Sequence, residues 1–521
     1  MMDSASKQFF SHKIKTPEEL CELIGSRPRQ RKVIMCHGTF DVVHPGHVRH
    51  LLYAKTKADI LVASLTADAH IHKGNMRPYV PEGLRAVNLA ALEMVDYVII
   101  DHQAKPLQNL ELIQPDYFAK GYEYTAGAVH SKTQEEIDII DSYGGEMIFT
   151  PGDIVYSSTA LIELAPPSIA VEKLLALMEG EGISFDDLRE AVAALKGTKV
   201  HVVGDTIVDS YTYCSMIGGM TKTPTMSVRF EKKVDFTGGA AIVAKHIRAA
   251  GADITFSTVL GNDAYKLFVL GDLDSCGVKC LPIIDDTRPT TNKNAIVASD
   301  YRLLKVDTLD NRSISDKIVE RLRQQISDTP TQALVFSDFR HGMFNRGTIP
   351  SLIESIPQGA FRVADSQVAS RWGNILEFQN FDLITPNERE ARFALGDQDS
   401  VVRPLANELH ARANCRTLIL KCGDRGIITV RKAEPESDYR NFFVVDSFAD
   451  RVVDAVGAGD ALLAYSTLAM VATGNDVVAA ILGNIAAGIE CEHDGNYPVT
   501  PELVLRKIDA VQRQAYYESE V

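Results

Sequence analysis

The alternation of short apolar runs with helical patterns restricts the possible folds of this chain more than any other feature of its sequence. That alternation is typical of a parallel β-sheet whose strands are joined by crossover helices. It occurs twice: it runs from Lys32 to about Ile162, and it restarts at Lys199 with the sequence KVHVVGD. We therefore predict two α/β units. The length of 521 residues agrees, because a single hydrophobic core rarely grows beyond about 250–300 residues.

Helix start signals accompany the predicted strands. Thr16 precedes Pro17 and two acidic residues, and Ser184 precedes Asp186 and Asp187, so we predict that a helix begins at each position. The predicted strands are residues 32–35, 60–64 and 97–100 in the first unit, and 333–336, 381–384 and 417–420 in the second.

A segment that contains proline and glycine separates the two units. It includes residues 165–167 (APP) and 179–182 (EGEG), with a helical stretch between them. We predict an N-terminal domain at 30–165, a linker with a leading helix at 166–195, and a C-terminal domain at 196–515.

Charge and composition exclude several classes of protein. The formal net charge is −15 at pH 7 and no basic block occurs, so a nucleic-acid partner is not expected. The sequence begins without a signal peptide pattern, and no stretch reaches the roughly 20 apolar residues of a membrane span. The eight cysteines are scattered without paired spacing, which is typical of reduced thiols. We expect a cytoplasmic protein that does not bind membranes.

Residues 36–59, CHGTFDVVHPGHVRHLLYAKTKAD, predict an anion-binding site. They follow a predicted strand and place His44 and His47 in an HxGH spacing. Gly38 lets the backbone approach a ligand, and a helix beginning near His47 directs free N–H groups at an anion. Two imidazoles there could donate hydrogen bonds to a triphosphate during attack on its α-phosphate. The alternative is a pair of surface histidines in a turn.

Four segments between residues 38 and 162 carry a family resemblance: GTFDVVHPGHVRHL, HKGNMRPYVPEGLRAVNLAALEMVDYVI, PDYFAKGYEYT and YSSTALI. They resemble the HxGH nucleotidyltransferases, a Rossmann-like superfamily. More specifically, they resemble the group that contains glycerol-phosphate cytidylyltransferases and the adenylyltransferase domains of bifunctional ADP-heptose synthases. The resemblance implies that Thr39 and Phe40 contact the nucleotide and that His44 and His47 stabilise the pentavalent phosphorus.

The same resemblance implies further ligand contacts in this domain. It gives Arg85 a structural or phosphate-binding role. The remaining implied contacts are Lys73 on the triphosphate or the sugar phosphate, Lys120 and Gly121 in the base and sugar pocket, and Ser157, Ser158 and Thr159 at a helix N-terminus that binds the β- and γ-phosphates.

The segment VVDAVGAGDALLAY, residues 452–465, predicts a second anion site. Gly457, Ala458 and Gly459 precede a helix that starts near Asp460, so their N–H groups can form a nest for an anion. Asp460 could then accept the proton of a sugar hydroxyl as that oxygen attacks the γ-phosphate of ATP. The alternative is a helix capped after a tight turn.

Four further segments appear in the order found in ribokinase-like sugar kinases: GDTIVDSY, FTGGAAIVAKHIRAAGA, TPNEREA and LKCGDRGI. This resemblance implies a ribokinase-like α/β domain. It also implies that a sugar is bound by Asp209, Gly238 and Gly239, that magnesium is organised indirectly by Asn387 and Glu390, and that ATP lies beside Lys421 and Gly423.

Within that family, residues 288–307 (RPTTNKNAIVASDYRLLKVD) resemble the substrate segment of heptose-7-phosphate kinases, with Lys305 as a substrate contact. Three positions depart from the heptose pattern. Ile242 replaces an Asn, Gln367 replaces a Lys, and Lys305 stands where Arg is common. The two domains also occur in the reverse of the usual order, which places the kinase first.

Together these features predict a bifunctional sugar-activating enzyme that acts on sugar phosphates. The kinase uses ATP and Mg²⁺ and is expected to phosphorylate heptose 7-phosphate at the anomeric hydroxyl, while the transferase couples a sugar 1-phosphate to a nucleotide from ATP or CTP. We expect a homo-oligomer. Two alternatives remain: the same activities on another sugar or polyol phosphate with CTP, or a regulatory protein with one inactive half.

Overall fold

The computed structural model describes residues 10–71, 78–121, 131–150, 170–218, 226–298, 301–367, 374–432 and 441–516. The chain divides into two compact units, Met1–Leu177 and Met178–Val521. Both are α/β, so the predicted fold class is confirmed. The N-terminal helix predicted at Thr16 spans Pro17–Ile24 (α1), and Thr16 caps it in a reciprocal capping box with Glu19.

The first unit is built on a five-stranded parallel sheet with the order β3-β2-β1-β4-β5. Its strands are β1 (Val33–Gly38), β2 (Ile60–Thr66), β3 (Tyr97–Asp101), β4 (Tyr117–Gly121) and β5 (Glu146–Thr150). The helices after α1 are α2 (Pro45–Lys55), α3 (Glu82–Ala90), α4 (Leu107–Ile113) and α5 (Ser131–Ser142).

Apolar residues on both faces of this sheet explain why it forms. In β1, Ile34 and Cys36 belong to one buried cluster, whereas Val33 and Met35 belong to a second cluster. Successive side chains of a strand point to opposite faces, so a run of four apolar residues requires cover on both sides. The helices supply that cover.

The second unit contains a nine-stranded sheet with the order β10-β9-β6-β13-β14-β15-β16-β17-β18. Its strands are β6 (Lys199–Gly204), β9 (Asp253–Gly261), β10 (Lys279–Asp285), β13 (Ala333–Asp338), β14 (Phe361–Ser366), β15 (Leu383–Ile384), β16 (Thr417–Lys421), β17 (Ile427–Arg431) and β18 (Phe442–Val445). The neighbours are parallel from β10 to β16 and antiparallel from β16 to β18. The crossover pattern predicted from the sequence is therefore confirmed for most of this sheet.

A separate four-stranded sheet, β12-β11-β7-β8, was not predicted. Its strands are β7 (Thr206–Gly218), β8 (Ser227–Gly239), β11 (Asn292–Ala298) and β12 (Tyr301–Thr308). Residues of β8 and β12 are largely exposed. The apolar run that marks a buried strand is thus missing from them, which is why sequence reasoning passed over this sheet.

The remaining helices are α6 (Ala170–Gly180), which begins in the first unit and ends in the second, and the helices of the second unit. Helix α6 lies within the predicted linker. The others are α7 (Phe185–Ala194), α8 (Ala240–Ala249), α9 (Ala264–Ser275), α10 (Asp316–Asp328), α11 (Ile349–Glu354), α12 (Glu388–Leu395), α13 (Val402–Ala413), α14 (Ala458–Thr473), α15 (Asp476–Cys491) and α16 (Pro501–Tyr516). Helix α2 begins at Pro45 rather than near His47, and α14 begins at Ala458 rather than near Asp460.

Within the described parts of the chain, every helix is too short or too polar to span a lipid bilayer.

Candidate active sites

The turn before α14 forms the predicted nest. Gly457 is the N-cap of α14 and has φ +90°, a left-handed conformation that glycine adopts without strain. Ala458, Gly459 and Asp460 form the first turn; the N–H of Asp460 donates to the carbonyl oxygen of Gly457, whereas the N–H groups of Ala458 and Gly459 point out of the helix end. Asp460 is buried, and burial, reinforced by the charge of Asp365, raises the pKa of its carboxyl group to about 8.

A charged cluster lies beside this nest. Lys421, at the end of β16, donates from Nζ to Oδ1 of Asp365 over 2.9 Å. Burial opposes the charge of Lys421, but the carboxylates of Asp365 and Glu390 outweigh it and raise the pKa of the ammonium group. A Cβ added at Gly459 would lie 3.3 Å from Nζ of Lys421. The ammonium group of Lys421 therefore places a positive charge next to the anion nest.

The predicted magnesium pair has a structural function in this chain. Asn387 caps α12, and its N–H and Nδ2 donate to Oε2 and Oε1 of Glu390 over 2.7 and 2.6 Å. Each carboxylate oxygen of Glu390 thus accepts one hydrogen bond from Asn387, so the residue that caps the helix orients this carboxylate. Among the described residues, no group of three His, Cys, Asp or Glu side chains could hold a metal ion.

The predicted sugar contacts lie where β7 and β8 pair. Asp209 on β7 is opposite Phe236, and its side chain is hydrogen-bonded to that of Asn496. A Cβ at Gly238 would collide with Oδ2 of Asp209, so only glycine leaves room for this carboxylate. Burial raises the pKa of Asp209, although Lys293 opposes the shift.

One cavity of about 610 Å³ joins these groups. It lies at the carboxyl ends of β14, β15 and β16. The predicted residues that line it are Asp209, Gly239, Lys305, Asn387, Lys421, Gly423, Gly457, Ala458, Gly459 and Asp460. Gly238 and Glu390 lie behind this lining, in contact with Asp209 and Asn387.

Sequence reasoning missed several residues of this cavity. Lys293 and Arg302, from the four-stranded sheet, line it together with Asn496. Sequence reasoning also missed Asp365, the ion-pair partner of the lining residue Lys421. Asp365 follows the apolar run of β14 at the carboxyl end of a parallel strand, which is a usual position for a functional side chain.

Two departures from the heptose pattern differ in their setting. Ile242 is completely buried in α8, where its side chain contacts the protein core. Gln367 follows β14 and lines the cavity, so it is placed to contact a substrate.

In the first unit, the two histidines stack at the start of α2. Their ring centroids are 3.9 Å apart, and His44 caps the helix by accepting the N–H of Gly46 at Nδ1 over 3.1 Å. That bond places the proton of a neutral His44 on Nε2. Burial, together with His44 and His50, lowers the pKa of His47 to about 4. Nδ1 of His47 is buried and has no hydrogen-bond partner in the described structure.

Phe40 and Arg85 have structural positions. Phe40 has φ +48°, is 4% exposed, and its ring lies 5.2 Å from that of His47, so it fixes the histidine from the core side. Arg85 is fully buried and donates to the carbonyls of Thr39, Thr66 and Val80 and to the Asp68 carboxylate. It ties the ends of β1 and β2 together, which is a structural function; the alternative prediction, phosphate binding, stays a prediction.

The other predicted contacts of this domain divide by location. Lys120, at the end of β4, forms an ion pair with Glu136, and Gly121 ends the same strand. Lys73, Ser157, Ser158 and Thr159 lie outside the described residues.

His37 was not predicted. It is the penultimate residue of β1, with Nδ1 2.9 Å from Oγ of Ser64 and Nε2 3.3 Å from Oγ1 of Thr66. Burial lowers its pKa to about 4, so it is a neutral histidine at the carboxyl ends of β1 and β2.

A nest, a buried aspartate and a lysine around one cavity at the carboxyl edge of a parallel sheet have the chemistry of a phosphotransferase that acts on a hydroxyl group. The family model of pfkB carbohydrate kinases matches residues 197–503, more than half of the chain, and the chain belongs to that family. The cytidylyltransferase-like model matches residues 35–164. The predicted kinase and nucleotidyltransferase domains are therefore confirmed.

Curated relatives match in segments. The bifunctional protein HldE of Geobacter metallireducens is 38% identical over 138 residues, which are 26% of this chain and 27% of the relative. HldE of Desulfatibacillum aliphaticivorans is 27% identical over 321 residues, 60% of this chain and 62% of the relative. This chain thus covers less than two thirds of the length of either relative.

Solved structures support the fold of the second unit. Phosphofructokinase-2 from Escherichia coli in complex with substrates and products has a TM-score of 0.51 and 18% identity, and the match covers 61% of this chain and 100% of that one. The tetrameric inhibited form of the same enzyme has a TM-score of 0.50 at 18% identity with the same coverage.

Proposed function

We propose that this chain is a bifunctional sugar-activating enzyme: its second unit phosphorylates a sugar phosphate with ATP, and its first unit transfers a nucleotidyl group to a sugar 1-phosphate. The proposal depends on one observation: each unit has side chains suited to phosphate chemistry at the N-terminus of a helix. In the second unit this side chain is Asp460 at α14, and in the first unit the side chains are the stacked His44 and His47 at α2. The resemblance to both domains of HldE relatives supports the pairing.

In the kinase step, a carboxylate oxygen of Asp460 takes the proton of the sugar hydroxyl. The hydroxyl oxygen attacks the γ-phosphorus of ATP, the bond to the β-phosphate oxygen breaks, and ADP leaves. The N–H groups of the nest and the ammonium of Lys421 stabilise the negative charge in transit. Because Asp460 must be deprotonated to act as the base, turnover should rise with pH up to about 8.

Magnesium is proposed to arrive with ATP and to supply charge neutralisation on the phosphates. Asp460 lines the cavity, and its carboxylate, once deprotonated, would give this part of the cavity a negative charge that suits such a cation. Glu390 serves indirectly, because it orients Asn387 through the α12 cap.

In the transferase step, an oxygen of the sugar 1-phosphate attacks the α-phosphorus of the nucleotide and pyrophosphate leaves. The low pKa of His47 keeps its imidazole neutral at pH 7, so it acts as a hydrogen-bond donor or acceptor rather than as a cation. His44, with its proton on Nε2, can donate to a phosphate oxygen as charge accumulates there.

Heptose 7-phosphate is the proposed kinase substrate, with the anomeric hydroxyl as the acceptor. A different sugar or polyol phosphate, activated with CTP, is the second candidate. Two observations favour it: Gln367 lines the cavity where heptose kinases carry a Lys, and the buried Ile242 offers no hydrogen bond to a sugar. The enzyme is proposed to be a cytoplasmic homo-oligomer.

Mass spectrometry of the products tests both candidates. The purified chain is incubated with ATP and CTP and a mixture of heptose 7-phosphate, hexose phosphates, polyol phosphates and the corresponding sugar 1-phosphates. A sugar bisphosphate and a nucleotide sugar are expected, and their masses identify the sugar and the base. Absence of both products from every mixture would favour the regulatory alternative.

A further inference from the structure

Glu490 is a buried acid that the proposed mechanism does not use. It lies near the end of α15, an otherwise apolar helix, and its side chain is completely buried. Oε1 accepts the N–H of Tyr497 over 2.9 Å, whereas Oε2 has no hydrogen-bond partner in the described part of the chain. A carboxylate left in that state would lose much of its solvation without compensation.

Glu490 contacts the turn that forms the anion nest. A Cβ added at Gly457 would lie 2.5 Å from Oε1 of Glu490 and 3.1 Å from Oδ1 of Asn496. That Asn496 oxygen is also buried and, among the described residues, lacks a hydrogen-bond partner. Beside this one backbone position, Oε2 of Glu490 and Oδ1 of Asn496 are therefore two buried acceptors without donors among the described residues, and a proton on Glu490 would supply a donor.

Asn496 extends this contact to the sugar side of the cavity. Its Nδ2 donates to the carbonyl oxygen of Thr237 on β8 over 3.2 Å, and its side chain is hydrogen-bonded to Asp209 on β7. Glu490 and Asn496 thus connect the phosphate end of the cavity at Gly457 to its sugar end at Asp209.

We propose that Glu490 is a positioning residue of the kinase: its protonated carboxyl group holds the Gly457 turn beside Asn496, and so sets the anion nest relative to Asp209. Loss of the proton would leave Oε2 of Glu490 and Oδ1 of Asn496 without a donor among the described residues, and it would place a negative charge behind the nest that must receive a phosphate. Both changes oppose phosphoryl transfer.

The charges around Glu490 favour the protonated form. Burial raises its pKa to about 8, although the N–H of Tyr497 opposes the shift. Asp460 from α14 and Asp454 from the preceding loop raise it further, whereas Lys245 from α8 lowers it. The neutral form therefore predominates at pH 7, and the group ionises as the pH rises through about 8.

The pH dependence of the kinase tests this role. Sugar-dependent ADP release is measured from pH 6 to 10 for the wild type, Glu490→Gln and Glu490→Ala, with Glu492→Gln as the matched control. Glu492 lies directly after α15, but it accepts from Lys507 and from the Asp450 N–H rather than contacting the nest. Thermal melting of each variant reports its folding.

We expect kcat/KM of the wild type and of Glu492→Gln to fall above about pH 8. Glu490→Gln, which is permanently neutral, should lose this fall and keep the rise at lower pH that belongs to Asp460. Glu490→Ala should lower kcat about tenfold or more at every pH, the size of a lost buried hydrogen bond. A fall above pH 8 that persists in Glu490→Gln, or an unchanged kcat in Glu490→Ala, would overturn the proposal.

The inference rests on the proposed kinase activity, so a second readout avoids the sugar. Affinity for a non-hydrolysable ATP analogue should fall more steeply above about pH 8 in the wild type than in Glu490→Gln, in which Asp460 still ionises in this range but Glu490 does not. An identical pH dependence of affinity in both proteins would refute the role of Glu490. A wild type that binds the analogue but releases no ADP with any sugar would instead count against the proposed function.

Discussion

At the scale of single residues, substitution of Asp460 is the most direct test of the proposed kinase chemistry. We expect Asp460→Asn to lower sugar-dependent ADP release by about 10²–10⁴-fold, because the amide cannot accept the hydroxyl proton. Pyrophosphate release by the same protein should not change, and it serves as an internal control. ADP release at the wild-type rate would show that another group is the base.

His47 provides the corresponding test in the first unit. We expect His47→Ala to reduce pyrophosphate release by about 10²-fold or more, because the stack with His44 and its contribution to charge stabilisation are lost. Sugar-dependent ADP release is measured in parallel and should be retained. His12→Ala, an exposed histidine of the same unit, is the control for loss of an imidazole elsewhere.

Single residues were predictable where local sequence carries the signal. His44, His47, Gly457 and Asp460 sit in short motifs at strand-to-helix turns, and the structure places them at helix N-termini. Glu490 was not predictable, because an acid near the end of an apolar helix acquires meaning only when the fold brings Gly457 against it.

At the scale of secondary-structure elements, the N-terminus of α14 depends on its glycine cap. We expect Gly457→Ala to abolish kinase turnover, because the new Cβ would strain a left-handed backbone and meet Glu490. Gly474→Ala is the matched control: Gly474 ends the same helix at φ +67° with nothing within 4 Å of a new Cβ. Both variants should lose about 1 kcal/mol of stability or more, measured by urea unfolding, but Gly474→Ala should keep its kinase activity.

The cap of α12 makes a second prediction about an element. We expect Asn387→Ala to cost about 1 kcal/mol of unfolding free energy and also to raise KM for ATP, since Asn387 lines the cavity and orders Glu390. Ser184→Ala removes an equivalent cap, that of α7, away from the cavity lining. A rise in KM for both variants would mean that Asn387 acts only through stability.

Elements were predictable in proportion to their burial. Strands such as β13, in which every residue is buried, can be predicted from their apolar runs. The four-stranded sheet does not, because β8 and β12 are mostly exposed and are held by pairing with β7 and β11. Lys293 and Arg302 were missed for that reason: their place in the cavity follows from strand pairing between distant segments.

At the scale of the whole molecule, the division into two compact units, Met1–Leu177 and Met178–Val521, suits two separate nucleotide sites. The predicted domain ranges 30–165 and 196–515 stay predictions, since compactness alone does not fix where an independently folding domain ends. The expected sugar, heptose 7-phosphate, stays a prediction, because Gln367 and Lys305 line the cavity where heptose kinases carry a Lys and commonly an Arg. The sequence motifs leave ATP and CTP as the two candidates for the transferase nucleotide.

Nucleotide-binding stoichiometry tests the central claim most directly. Equilibrium dialysis of the full chain against saturating non-hydrolysable ATP and CTP analogues together should yield two bound nucleotides per chain. The combined His44→Ala and His47→Ala variant should retain one, in the cavity beside Gly457. A wild-type total of one nucleotide per chain would contradict the account of two active nucleotide sites.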